Sequence, residues 1–298
     1  MNHHRNWIHR HRLGAFLVLA FGLSWWPWPL ALVEPDSVPM VSFGPLLAAV
    51  LVTALAQGRD ALWALARSII RWRAPWSTWA FAALGPFGLA VLTGAAAYAL
   101  GIIESVDTYQ SGGWSTLLNV VVLMITTALL GGPLFEEVGW RGFFQPELQR
   151  RHSAVRASMV VGTVWVIWHL PLLVTDPTGQ RPPLPFTAWI LAQAVLIAWV
   201  YNTSRGSVLI AVVFHTAANT AGRMLLEPLV GEPGFSLVWW LMAALYLLAA
   251  VVLIWRTGGR LGITRLGRPD TIVTNSKERT VTSTRPESRS RFIGVGLE

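Results

Sequence analysis

The chain contains no cysteine. That excludes disulfides, thiolate nucleophiles and cysteine-ligated zinc or iron–sulfur sites. Charge is scarce too. Only 13% of residues are Asp, Glu, Lys or Arg, against about 25% in a soluble domain. No H-E-x-x-H run occurs, so the helical zinc-peptidase motif is missing. No internal repeat is evident either, which weighs against an inverted-repeat transporter. What fills the sequence instead is apolar: 53% of the 298 residues are hydrophobic and the mean hydropathy is +0.49. The 17 Trp suit a lipid–water interface, where indole is favoured. These features define an integral membrane protein built of helices, because in hydrocarbon each backbone polar group must be satisfied within the chain.

Apolar runs long enough to cross a bilayer predict eight transmembrane helices: Leu13 to Val33, Val38 to Gln57, Trp76 to Ile102, Trp114 to Phe135, Ala157 to Val174, Phe186 to Tyr201, Ser207 to Ala221 and Ser236 to Trp255. The first is longer than a signal-peptide core and lacks an A-x-A site, so it reads as a retained span. Residues 1–12 form a basic cytosolic arm, whose His3 and His4 read as an exposed terminus rather than a metal site. Residues 13–255 form the membrane domain, and 256–298, rich in Ser, Thr and Arg, read as a disordered cytosolic tail. Within the domain, Gly58 to Pro75 alternates arginines with Leu, Ile and Trp, the pattern of a helix lying on the cytosolic membrane surface. With the N-terminus in the cytosol, 21 of the 23 Lys and Arg fall on cytosolic segments. Arg181 and Arg223 are the exceptions. This bias satisfies the positive-inside rule with both termini in the cytosol. The net charge of +8 is therefore topology plus contact with anionic lipid, and nucleic acid need not be invoked.

Ionisable groups are costly inside such a frame and mark function by default. Glu136 and Glu137 follow eighteen uncharged residues, Leu118 to Phe135, and the break Gly131-Gly132-Pro133 precedes them. Proline removes a backbone donor and kinks a helix, which is a way to bring water beside the carboxylates. Glu137 and Arg141 are four apart and share a helix face, so they can pair. Glu136 is turned about 100° away, free to face a cavity. His215 and Asn219 also share a face. His215 lies about 12 Å from the cytosolic end of its span and His169 about 18 Å, at a rise of about 1.5 Å per residue, while the Glu pair falls at the cytosolic end of its own. Glu, His and Asn together suit attack of water on an amide, with a general base and donors for the oxyanion. A zinc ion held by Glu136, His169 and His215 is the rival chemistry.

Three runs, Glu136-Glu137-x-x-x-Arg141, Trp165-x-x-x-His169 and His215-x-x-x-Asn219, resemble the motifs of the CPBP (CAAX protease and bacteriocin-processing) family of intramembrane glutamic endopeptidases, related to the type II CAAX prenyl endopeptidases. The run Asn202 to Ser207 is similar to that family's approach to its second His. The likeness covers a core of residues 114–222 and extends to the basic segment 58–75. It implies that Glu136 activates water with His169 as partner, that His215 and Asn219 form an oxyanion hole, and that Glu137 and Arg141 hold the site. Where the family's second motif usually opens with Phe, this chain has Trp165, which reads as packing. No cofactor is expected, with a divalent metal such as zinc the alternative. The expected substrate is a membrane-associated or lipid-modified peptide, cleaved near the cytosolic face of the cell membrane. A non-catalytic immunity or scaffold protein and a proton-coupled carrier are the alternatives from other classes.

Overall fold

A computed structural model describes residues 11–34, 37–104, 114–176 and 179–263, the side chains of 114–116 excepted. The two N-terminal histidines and most of the expected tail lie outside the described residues. Every regular element among those residues is helical. Leaving aside the short turns of three to five residues, they are in order α1 (Arg12–Trp25), α2 (Gly44–Val52), α3 (Arg59–Ile69), α4 (Trp76–Ala99), α5 (Trp114–Leu130), α6 (Pro133–Gly139), α7 (Ala154–Trp168), α8 (Pro183–Thr203), α9 (Val208–Leu226) and α10 (Phe235–Arg256).

Four helices are long and apolar enough to cross a membrane: α4, α8, the run Val208–Leu229 that contains α9, and α10. A fifth crossing is added if the bent pair Leu117–Leu130 and Pro133–Gln149, which meet at 47°, is one span. Arg12–Trp25, Gly44–Gln57 and Ala154–Trp168 are shorter apolar helices. The chain is thus a polytopic helical membrane protein. The expected first and fifth spans are cut short by proline. Pro27 follows the end of α1, and a separate turn, Leu170–Val174 with Pro171 near its start, follows α7. Each proline lacks the amide that continuing the previous helix requires.

Two serines start helices as capping chemistry predicts. Ser153 Oγ accepts from the Arg156 amide at 3.3 Å, and Ser207 Oγ from the Ile210 amide at 3.2 Å. Helix α9 is the hub, touching α4, α5, α6, α8 and α10, and 72% of its apolar window is buried, against 28% for α4 and 33% for α10. The exposed sides of α4 and α10 carry Val91, Leu92, Leu248 and Val251. This is the apolar surface that lipid solvates at no cost.

One end of the bundle is tied by polar groups. Arg12 pairs with Glu147 at 2.6 Å, and Gln57 donates to the same carboxylate at 3.0 Å. Arg71 donates to the Arg205 carbonyl and Ser207 Oγ to the Arg71 carbonyl. These bonds fasten α3, the basic helix expected over 58–75, to the turn between α8 and α9. Leu65 and Ser68 are its buried residues, so it lies along the bundle with most of its polar face exposed. Residues 257–263 are folded as well. Leu261 is buried, and its carbonyl accepts from Asn202 Nδ2 at 3.0 Å.

Candidate active site

The break before the glutamates is built from glycine for a steric reason. Gly132 has φ +108°, a region that only glycine enters without strain, and a Cβ there would meet Glu136 Oε1 and Ser42 Oγ. Pro133 then opens α6, where its missing N–H costs nothing. Gly139 faces the backbone of Pro45 so closely that a Cβ would collide with it. Small residues at such crossings bring membrane helices into contact. Here the crossing seats α6 against α2.

Beyond Gly139 the chain stays helical through a π-turn, Trp140–Phe144, to Gln149. The expected span ended at Phe135, with the carboxylates at its cytosolic rim. The structure instead bends the helix at Gly131-Gly132 and continues it, so the carboxylates sit inside the bundle. Eleven residues separate Glu136 from Glu147, about 16 Å of helix. Glu136 is 4% exposed and Glu137 and Arg141 are fully buried.

The adjacent carboxylates have different partners. Glu137 Oε1 accepts from Arg141 Nη1 at 2.9 Å and from His215 Nδ1 at 2.9 Å. Glu136 Oε2 accepts from the indole Nε1 of Trp165 at 2.7 Å. The one-face pairing expected for Glu137 and Arg141 is therefore present, and Glu136 is the carboxylate that borders the cavity. His169 Nδ1 lies 2.8 Å from the Trp165 carbonyl. A carbonyl only accepts, so the proton is on Nδ1 and the Nε2 of the neutral ring is an acceptor. His215 has the same tautomer by the same reasoning, since its Nδ1 meets a carboxylate.

Trp165 is the residue around which the site is arranged, which its sequence context did not reveal. Besides holding Glu136, its ring lies under the Arg141 guanidinium, 4.9 Å from centroid to carbon. The His215 ring meets it edge-on at 5.0 Å and the His169 ring lies at 5.8 Å. The expectation that this aromatic only packs is too narrow, because an indole donates where a phenyl group cannot. The available signal was the N–H itself, one helix away from two carboxylates. Gln193 was missed as well. It is 1% exposed, borders the cavity and has an Oε1 without a partner among the described residues. Its signal was an amide in an otherwise apolar stretch of α8.

Glu136, His169, His215 and Asn219 all border one cavity of about 570 Å³. Its walls are aromatic, with Trp168, Phe186, Trp189 and Trp239 beside Trp165. Among the described residues no three His, Asp or Glu side chains converge as ligands of one metal ion do. Nδ1 of His169 and of His215 is held by a carbonyl and a carboxylate, which leaves Nε2 as the open nitrogen of each ring, and Glu136 accepts from an indole. Among the described residues Glu136, His169 and His215 are not drawn together as one ligand set.

Fold and site together define a helical membrane protein with a buried carboxylate–imidazole cavity. Residues 117–221 match the family described as type II CAAX prenyl endopeptidase Rce1-like. CAAX prenyl protease 2 of Methanococcus maripaludis is 32% identical over 130 residues, which cover 41% of this chain. The chain spans about half the length of that relative, 47%. The matched stretch runs from α5 into α9 and includes all three motifs.

Proposed function

We propose that the chain is an intramembrane endopeptidase, CAAX-processing-like, that hydrolyses a peptide bond of a membrane-associated or lipid-modified peptide or protein. The observation that carries this reading is the convergence of Glu136, His169, His215 and Asn219 on one aromatic-walled cavity. Glu136 is the general base. It takes a proton from water as the water oxygen attacks the scissile carbonyl, and His169, through Nε2, orients that water. The carbonyl oxygen becomes an oxyanion, received by the amide of Asn219 and by the His215 ring, which donates from Nε2 when it carries both protons. The carbon–nitrogen bond then breaks, the oxyanion collapses to a carboxyl group, and the amine leaves with the proton that Glu136 took up. Glu137 and Arg141 hold His215 and the ring of Trp165 in register.

No step calls for a metal. The chain crosses the cell membrane eight times with both termini in the cytosol, its arginine-rich face against anionic lipid. Glu136→Gln tests the mechanism, because it keeps shape and burial but removes the base. The variant should express, fold and fail to cleave a reporter peptide in detergent or in vesicles. Cleavage at the wild-type rate ends the glutamate mechanism. Unchanged biological activity in a Glu136/His169 double variant points instead to a binding protein without catalysis.

A further inference from the structure

One wall of the cavity has an order along it. Helix α8 contributes Phe186, Trp189, Ile190 and Gln193, and spacings of three and four put these on one helical face. The first three are apolar. Gln193, the last α8 residue on the wall, is an amide, 1% exposed, whose Oε1 has no partner among the described residues. The other buried, unpartnered side-chain atoms along this cavity are indole N–H donors, so Gln193 Oε1 is the one acceptor in that set. A buried acceptor without a donor is costly to keep. Beside a cavity, the donor can arrive with the ligand.

Packing fixes the height of Gln193. A Cβ on Gly222 of α9 would lie 3.9 Å from the Trp189 ring of α8, and residues 204–207 join the two helices. One turn from this contact toward that junction, α8 reaches Gln193 and α9 reaches Ala218, the neighbour of Asn219. On the flank of α7, a Cβ on Gly162 would come within 2.9 Å of Ala194 Cβ and 3.2 Å of the Leu191 side chain. Helix α8 is therefore held tightly at this point. Gln193 stands level with Asn219, between the helix that carries Trp165 and His169 and the helix that carries His215 and Asn219.

A bound peptide brings one backbone N–H per residue, and each needs an acceptor once stripped of water. The site as described takes up the scissile carbonyl through Asn219 and His215, and it assigns Glu136 and His169 to water. Nothing in that set receives a peptide N–H. We propose that Gln193 is a substrate-binding residue, its Oε1 accepting a backbone N–H of the bound peptide beside the scissile bond. That contact sets the register in which the scissile carbonyl faces Asn219 and His215, while a neighbouring apolar side chain lies against Phe186 and Trp189. The group recognised is the peptide backbone itself. This rests on the endopeptidase reading of the same cavity.

The test pairs a variant with a set of substrates. Gln193→Leu removes the amide at similar volume, and Gln193→Met is the second variant should Leu fail to fold. With a reporter peptide, kcat/KM should fall by about 10- to 100-fold, mostly through KM, with the thermal unfolding temperature in detergent unchanged or raised. The reporter is then remade with an ester oxygen in place of one N–H at a time, the scissile amide kept. One replacement should cost the wild type a similar factor and cost the variant almost nothing, the non-additivity of two partners in one contact. Wild-type kinetics in the variant, or ester losses equal in both proteins, overturns the proposal. A purely structural role would slow all substrates alike and so falls under the second outcome. In a binding arm, a peptide whose scissile amide is reduced to CH2–NH should raise the unfolding temperature of the wild type more than that of the variant, and its ester analogue should remove the difference. Equal shifts in both proteins, or none, also overturn it. If the wild type binds the reduced peptide in this way yet cleaves no reporter, the endopeptidase reading fails and the Gln193 contact stands.

Discussion

The indole Nε1 of Trp165 donates to Glu136 Oε2 at 2.7 Å, across 29 positions of sequence. The same ring supports the Arg141 guanidinium on its face and the His215 ring against its edge. A single side chain therefore holds the proposed base, the buried cation and one of the proposed oxyanion donors. Trp165→Phe keeps an aromatic face and removes only the donor. A hydrogen bond to a charged group contributes about 1.5–3 kcal/mol, so kcat should fall by about 10- to 100-fold with KM little changed. Steady-state kinetics on a reporter peptide read this directly. A Phe variant with wild-type kcat means the N–H is not used.

Glu137 and Arg141 are both fully buried. Removing one partner of a buried pair leaves a stranded charge and costs about 3–5 kcal/mol. Arg141→Met alone should lower the thermal unfolding temperature in detergent sharply. The double variant Glu137→Gln, Arg141→Met should regain much of that stability. It should stay poorly active, because Glu137 also holds His215. Equal stability of the single and double variants means that the pair is not coupled.

Asn219 borders the cavity one helical turn from His215. Loss of one oxyanion donor lowers kcat by roughly 100- to 1,000-fold. Asn219→Ala should show a loss of that order with an unchanged KM. A change confined to KM assigns Asn219 to substrate binding instead.

Gly132 combines a positive φ with a Cβ position filled by Glu136 and Ser42. Alanine where φ is positive destabilises by more than about 1 kcal/mol. Gly132→Ala should lower the unfolding temperature and displace Glu136, lowering activity beyond what the stability loss explains. Gly88, with no heavy atom near its Cβ position, is the control, and Gly88→Ala should leave both nearly unchanged.

The metal-free mechanism predicts that cleavage survives chelator treatment and that purified active protein holds no stoichiometric transition metal. Elemental analysis alongside the activity assay checks both. A metal on which activity depends overturns that part of the proposal.

The sequence alone determined much of the local structure and chemistry. Hydropathy runs determine membrane helices because burying backbone in lipid leaves few other structures. A four-residue spacing puts Glu137 beside Arg141 because a helix repeats every 3.6 residues. The same arithmetic turns Glu136 away from that pair. Tertiary structure decided what helical spacing cannot reach. Glu137 bonds His215 from 78 positions away, and Trp165 bonds Glu136 from another helix. Neither contact has a local signature, since each depends on how α6, α7 and α9 cross, and close crossing is set by small residues such as Gly139 against Pro45. The depth of the carboxylates was also out of reach. An uncharged run ending at Glu136 looks like a helix ending there, and only the backbone at Gly131-Gly132 shows that it bends and continues.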